Sequence, residues 1–248
     1  MLWGIFSDVH ANYEALKAVF DFYEKKRVKR FICCGDIVGY GPEPEKCLRM
    51  ISSLKDLVYV MGNHDAALCG KMDSKWFREA AREAIELNKK EISEEMLSFL
   101  RKAVDFVQSS RYTVVHGSPR NHLKEYMLTR SQFMENLDYW KISPCLFGHS
   151  HIPAFFEYNK TGNVLTTYDL EQISAISLKE ENVYMLNPGS VGQPRDSNPK
   201  ASCALYSDDG DKKRFEVFRI EYDIEKTRQE MEKKNYPRMF IDRLKFGI

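Results

Sequence analysis

Five short apolar runs in the first 151 residues of this 248-residue chain each stop on polar residues that a strand does not need in order to fold. "LWGIFSDVH" ends in Asp8 and His10, "RFICCGD" in Asp36, and "LVYVMGNHD" in Asn63, His64 and Asp65. "RYTVVHG" ends in His116, and "PCLFGHSH" in His149 and His151. Helical patterns separate the first three runs. One lies near 13–27, where Ala15, Leu16, Val19, Phe20 and Tyr23 share a face, and another near 44–54. Apolar strands alternating with helices predict βαβ units in a helix-covered sheet, an α/β fold. Sheets of this kind bind ligands beyond the carboxyl ends of their strands, where five of the six histidines fall.

Residues 66–108 interrupt the rhythm and read as a helical insert of two or three helices. A further helix is expected near 130–138. After residue 150 the pattern becomes a β-meander. "AFFEY" and "NVLTTY" flank the turn "NKTG", and "ASCALYS" and "RFEVFRI" flank "DDGDKK". A charged helix closes the chain over about 223–246, with Met231, Met239, Phe240 and Leu244 as buried contacts on the domain or on a second subunit. With no repeat or Pro/Gly-rich linker, 1–248 reads as a single domain of two sheets and a helical insert.

A formal net charge of +1 gives no global attraction to nucleic acid or to an anionic membrane. No apolar run approaches the ~18 residues of a membrane helix, and Asp8 arrives too early for a signal peptide. The cysteines (33, 34, 47, 69, 145, 203) lack CxxC spacing and read as reduced thiols, so a cytoplasmic protein is expected.

Two carboxylates, four or five imidazoles and an amide make a mixed nitrogen and oxygen donor set. It suits borderline transition metals better than Ca²⁺ or Mg²⁺. Seven donors exceed one tetrahedral ion and fit two if a carboxylate bridges. Two divalent ions beside Asp8 and Asp36 leave a residual charge near +2, which favours hydroxide plus a phosphate anion. Phosphoester hydrolysis by in-line attack of a metal-bound hydroxide is therefore expected. The i, i+2 pairs Asp8/His10 and His149/His151 are expected on one side of an extended segment.

The ordered blocks D-x-H (8–10), G-D (35–36), G-N-H-D (62–65), H (116) and G-H-x-H (148–151) resemble the calcineurin-like metallophosphoesterase superfamily. "NPGSVGQPRD" (187–196) is similar to its small prokaryotic branch, which includes diadenosine tetraphosphatase-related phosphoesterases. The resemblance implies a four-layer α/β/β/α sandwich of two mixed sheets flanked by helices. It also implies two divalent ions, manganese first, with iron, zinc, nickel or cobalt as alternatives. Asp8, His10, Asp36 and His151 would hold one ion and Asp36, Asn63, His116 and His149 the other, with Asp36 bridging. His64 would donate a proton to the leaving group, oriented by Asp65. Ser/Thr protein phosphatases carry an arginine soon after G-D, where this chain reads "GDIVGYGPEP", so phosphoesterase activity in general is better supported than protein phosphatase activity.

The substrate is expected to be a small phosphorylated compound, with nucleotides among the candidates. Asn12 is read as a helix cap or a phosphate contact, His122 as a loop residue or a substrate contact, and Arg195 as a phosphate ligand or a structural ion pair. The insert either covers the sheet or forms a partial lid. The rival readings are a nuclease of the same superfamily and a non-catalytic scaffold. A homo-oligomer is compatible with either.

Overall fold

The computed structural model describes residues 1–168, 170, 173–210 and 212–248. Parallel strands β1 (Leu2–Phe6), β2 (Arg30–Cys33) and β3 (Leu57–Tyr59) are joined by α1 (Tyr13–Lys25) and α2 (Pro44–Ser52). Helices α3 (Asn63–Leu68), α4 (Glu79–Glu91) and α5 (Glu94–Arg101) follow, with a 3-10 turn at Ser74–Trp76. Next come β4 (Phe106–Gln108), β5 (Thr113–Val115), α6 (Arg130–Asn136), β6 (Cys145–Leu146), β7 (Ala154–Asn159) and β8 (Val164–Thr167). The chain ends with β9 (Ala175–Leu178), β10 (Asn182–Asn187), β11 (Ala201–Asp208), β12 (Lys213–Ile220), α7 (Ile224–Lys233) and α8 (Arg238–Arg243).

The strands form two mixed sheets, β3-β2-β1-β11-β12-β9 and β4-β5-β6-β10-β7-β8. Period-2 alternation in β1 shows how the layers arise. Trp3 and Ile5 enter the core between the sheets, while Leu2 and Phe6 join the helices on the outer face. The inter-sheet core also holds Phe155, Tyr184, Tyr206 and Phe215, and each such side chain contributes roughly 1.5–3 kcal/mol by leaving water. On the far side Phe133 of α6 packs on Phe147 and Phe156. Helix, sheet, sheet, helix is the four-layer order expected.

Both expected hairpins form, β7 with β8 and β11 with β12. Asp211, inside the second turn, lies outside the described residues. The strands after 150 are not one meander, however: β7, β8 and β10 join the second sheet and β9, β11 and β12 the first. The insert ends in β4, which pairs antiparallel with β5. Its helices supply Ala81, Ala84, Ile85, Met96 and Leu100 to the core, so it covers the sheet. The single closing helix predicted for 223–246 is two helices. Pro237 cannot donate to a preceding turn and bars its predecessor from helical geometry, so α7 ends and α8 begins there. Met231, Phe240 and Leu244 are buried as expected, whereas Met239 is 56% exposed.

Candidate metal centre and its cavity

The loops leaving β1, β2, β5 and β6, with the start of α3, converge at one end of both sheets. Asp8, His10, Asp36, Asn63, His64, Asp65, His116, His149 and His151 are all buried there. Asp8, His10, Asp36 and His151 form one group that could hold a metal ion, and Asp36, His116 and His149 a second, so Asp36 belongs to both. Oδ1 of Asp36 accepts from the His64 backbone N–H at 2.8 Å. Its Oδ2 faces Nε2 of His116 at 3.4 Å and Nε2 of His10 at 3.6 Å. Close approach demands the neighbouring glycines: a Cβ on Gly62 would collide with the Asp36 carboxylate, and one on Gly148 with Ser7 and Asp8.

Tautomers decide what this arrangement wants. Nδ1 of His10 must donate to the Val38 carbonyl at 3.0 Å, and Nδ1 of His151 to the Gln193 carbonyl at 2.6 Å. Both Nε2 atoms are then bare lone pairs, yet they face each other at 3.0 Å. Nε2 of His151 also lies 3.4 Å from Oδ1 of Asp8. Nδ1 of His116 likewise donates to the Cys34 carbonyl at 2.8 Å, turning Nε2 toward Oδ1 of Asn63 at 3.0 Å. The Nε2 of His149 is enclosed and lacks a partner among the described residues. The Nε2 lone pairs of His10, His151 and His149 thus stand without donors, which is the signature of a cation site. The residues therefore fit a transition-metal ion in chemistry and in orientation.

The charges agree. Burial holds His10 and His151 well below the usual imidazole range and brings His149 to about 3, keeping them neutral as ligands must be. Burial also lowers His116, but Asp36 and then Asp8 outweigh it and lift the ring to about 9. His116 thus serves as counter-ion to Asp36, a role a bound cation would take over. Burial, helped by Asp36, raises Asp8 to about 7.

The backbone reaches these positions by strain rather than by strand alternation. Asp8, His10, Asp36, His149 and His151 all have φ between 47° and 65°, the left-handed region. The extended i, i+2 geometry expected for 8/10 and 149/151 is therefore replaced by loops. The end of β10 and the segment after it hold them: Ser190 Oγ and Gly192 N–H donate to the Asp8 carbonyl, and Asn187 Nδ2 to the Gly148 carbonyl.

Asn63, His64 and Asp65 occupy the first turn of α3, and β3 has already ended at Tyr59. Asp65 does not contact the His64 ring. Its Oδ1 accepts from the backbone N–H groups of Ile37 and Val38, and Oδ2 from that of Gly62. Successive residues on a helix point apart, so Asp65 ties two loops together and leaves Nδ1 of His64 without a partner among the described residues. Asn12 is also committed to structure. Its Oδ1 caps α1 at Ala15 and accepts from Thr227, while Nδ2 donates to Gly192. His122 stacks on Phe106 at 5.2 Å and takes no part in lining the cavity.

That cavity, of about 550 Å³, opens over Asp36, Asn63, His64, His149 and His151. Residues 1–210 match the sequence profile of the calcineurin-like phosphoesterase superfamily domain. The chain belongs to that superfamily. It is 35% identical over 250 residues to an uncharacterized protein of Methanocaldococcus jannaschii, covering 98% of this chain and 97% of that one. The crystal structure of a metallophosphoesterase from Sphaerobacter thermophilus superposes with a TM-score of 0.87 at 33% identity, covering all of both chains. A 66-residue stretch is 38% identical to a symmetrical bis(5'-nucleosyl)-tetraphosphatase of Psychromonas ingrahamii, 26% of this chain and 24% of that protein.

The inner wall of the cavity is formed by the clustered His, Asp and Asn side chains. The outer wall comes from elsewhere: Trp76, Phe77 and Arg78 from the insert, Tyr126 from a loop, Arg195 from the 187–196 segment, and Phe240 and Arg243 from α8. Phe77 lies 4.6 Å from the His64 ring, and Tyr126 stacks on His149 at 4.0 Å. Asn88 of α4 anchors the insert, accepting from Gly39 N–H and donating to the Gly41 carbonyl and the Tyr236 hydroxyl. Of the outer wall, sequence reasoning named only Arg195 as a site candidate. The others had no motif, only apolar or basic character. Among the described residues no helix is long and apolar enough to cross a membrane.

Proposed function

We propose that this chain is a dinuclear, metal-dependent phosphoesterase acting on small phosphate monoesters or diesters. The observation that carries the reading is the Asp36 carboxylate, which faces His10 on one side and His116 on the other and belongs to both donor groups. Asp8, His10, Asp36 and His151 would hold one ion, and Asp36, Asn63, His116 and His149 the second. Divalent ions there supply Lewis acidity to phosphoryl oxygens and bring the ionisation of water toward neutral pH.

The protein's own residues do the rest. Backbone carbonyls lock the ligand tautomers, and the buried loops exclude bulk water. His64, beside both groups but outside them, donates a proton to the leaving oxygen. Burial, opposed by Asp36, holds its free imidazole at about 4. A cavity of about 550 Å³ suits a small molecule rather than a nucleic acid strand. The stretch resembling a bis(5'-nucleosyl)-tetraphosphatase supports nucleotides as the first substrates to try.

The test is a panel of phosphomonoesters and phosphodiesters assayed with Mn²⁺, Ni²⁺, Co²⁺, Zn²⁺ and Mg²⁺, alongside elemental analysis. Two ions per chain and metal-restored hydrolysis are expected. Full hydrolysis by rigorously metal-free protein would end the proposal.

A further inference from the structure

Arg195 and Arg243 line the same cavity as Asp36 and His64, and Arg195 Nη2 makes only long hydrogen bonds, to the Tyr40 hydroxyl at 3.4 Å and Gln193 Oε1 at 3.5 Å. Among the described residues neither makes an ion pair. Each follows or precedes an aspartate that is engaged elsewhere: Asp196 pairs with Arg219, and Asp242 with Arg228 and Arg238. Nε of Arg195 and both Nε and Nη2 of Arg243 are enclosed without hydrogen-bond partners. Burial and then the charge of Arg195 lower Arg243 to about 10, which still leaves Arg243 cationic at neutral pH. Both arginines are half-buried, and neighbouring guanidinium groups with enclosed, unpartnered nitrogens are costly unless an anion joins them.

Tyr40 gives the pair its position. The Arg243 guanidinium lies 4.8 Å from the Tyr40 ring centre and that of Arg195 5.7 Å from it. The same Tyr40 ring lies 4.6 Å from the His10 ring and 4.4 Å from the His64 ring. Arg243 also stacks on Phe240 at 4.5 Å, and a stacked guanidinium keeps the donors on its rim available. The arginines therefore stand one aromatic ring away from the metal ligands, on the cavity side. A phosphate at the metal centre already has the ions to answer its charge, so the arginines serve a neighbouring anion.

Resting on the phosphoesterase reading, we propose that Arg195 and Arg243 form a clamp for a second phosphate-type anion. The preferred substrate is then an organic ester of a polyphosphate rather than of a single phosphate. Fork-shaped donors on a phosphate give charge-assisted hydrogen bonds, stronger than neutral ones and specific in geometry.

The test is calorimetric titration of the full-length Mn²⁺-loaded chain with methylenediphosphonate and with methylphosphonate. Wild type should bind the diphosphonate at least about tenfold tighter, the equivalent of one charge-assisted contact. Arg243→Met and Arg195→Met should each shrink that ratio by about threefold or more, and the double variant should abolish it. Arg243→Lys, which keeps the charge but loses the fork, should fall between. Melting temperature and metal content confirm that each variant is folded; if Arg243→Met is not, Arg195→Met and Arg243→Lys carry the test. A ratio near one in wild type, or a ratio unchanged in the folded variants, overturns the clamp. Hydrolysis of the panel of phosphomonoesters and phosphodiesters by wild type is measured in parallel. Absent hydrolysis with the ratio intact sinks the phosphoesterase reading, whereas hydrolysis with a ratio near one sinks only the clamp.

Discussion

The two walls of the cavity are built by different means. On the inner wall every functional group leaves a strand end or the first turn of α3, and backbone groups fix its direction. Val38, Gln193 and Cys34 carbonyls set three imidazoles, and backbone N–H groups hold Asp36 and Asp65. On the outer wall the side chains come from helices and loops packed against the domain, and several are open to solvent: Trp76 is 45% exposed and Met239 56%. Rigid, enclosed donors suit chemistry that is shared across a family. Adaptable aromatic and basic groups suit the choice of substrate.

The largest effect should come from the shared carboxylate. Asp36→Asn should cut kcat/KM by about 10³-fold or more, because an interaction of roughly 4 kcal/mol with the transition state is lost. Elemental analysis should show depleted metal. A variant that keeps both ions and most of its activity would erase the distinction between walls.

His64→Ala separates proton transfer from ligation. Alkyl phosphate esters should slow by about 10²–10⁴-fold, while nitrophenyl esters, whose leaving group departs unprotonated, should slow much less. Metal content should stay near wild type. Equal loss on both ester types, or a lost ion, would make His64 a ligand or clamp.

Trp76→Ala probes the outer wall. Removing one partly exposed aromatic contact of about 1 kcal/mol should raise KM roughly fivefold for an aromatic or nucleotide ester and leave kcat nearly unchanged. A drop in kcat with KM constant would move Trp76 to the chemical side of the cavity.

Asn88→Ala tests whether the walls are mechanically joined. Loss of its three buried hydrogen bonds should destabilise the fold by about 2–3 kcal/mol, read from denaturant unfolding, and should raise KM more than it lowers kcat. The smallest effect on turnover belongs to Asn12→Ala, which removes a helix cap and the buried bonds to Thr227 and Gly192, and should destabilise the fold by about 2–3 kcal/mol while leaving KM nearly unchanged. A tenfold rise in KM there would restore Asn12 as a substrate contact.

Most of the inner wall was legible because strand ends have a local signature: an apolar run, a glycine, then a donor. The same signature misled where local geometry changed character. Asn63–Asp65 read as a strand end but begin a helix, and that helical phase takes Asp65 away from the His64 ring. The i, i+2 pairs read as extended but lie in left-handed loops. In the C-terminal segment Pro237 was visible in the sequence and still did not show where α8 would pack.

By itself, then, the amino-acid order determined the layers of strands and helices, the free cysteines, and the set of residues able to bind metal. These follow from short-range rules: side-chain alternation, turn chemistry and the number of donor atoms available. Only the tertiary structure decided that Asp65 serves the backbone, that Asn12 is a cap, and that Arg243 meets Arg195 beside Tyr40. Residues 195 and 243 are 48 positions apart and share no motif. They meet because α8 seats Phe240 against Tyr40 at 4.7 Å, and Arg243, one turn further on, stacks on both rings, which brings its guanidinium to the cavity that Arg195 also lines.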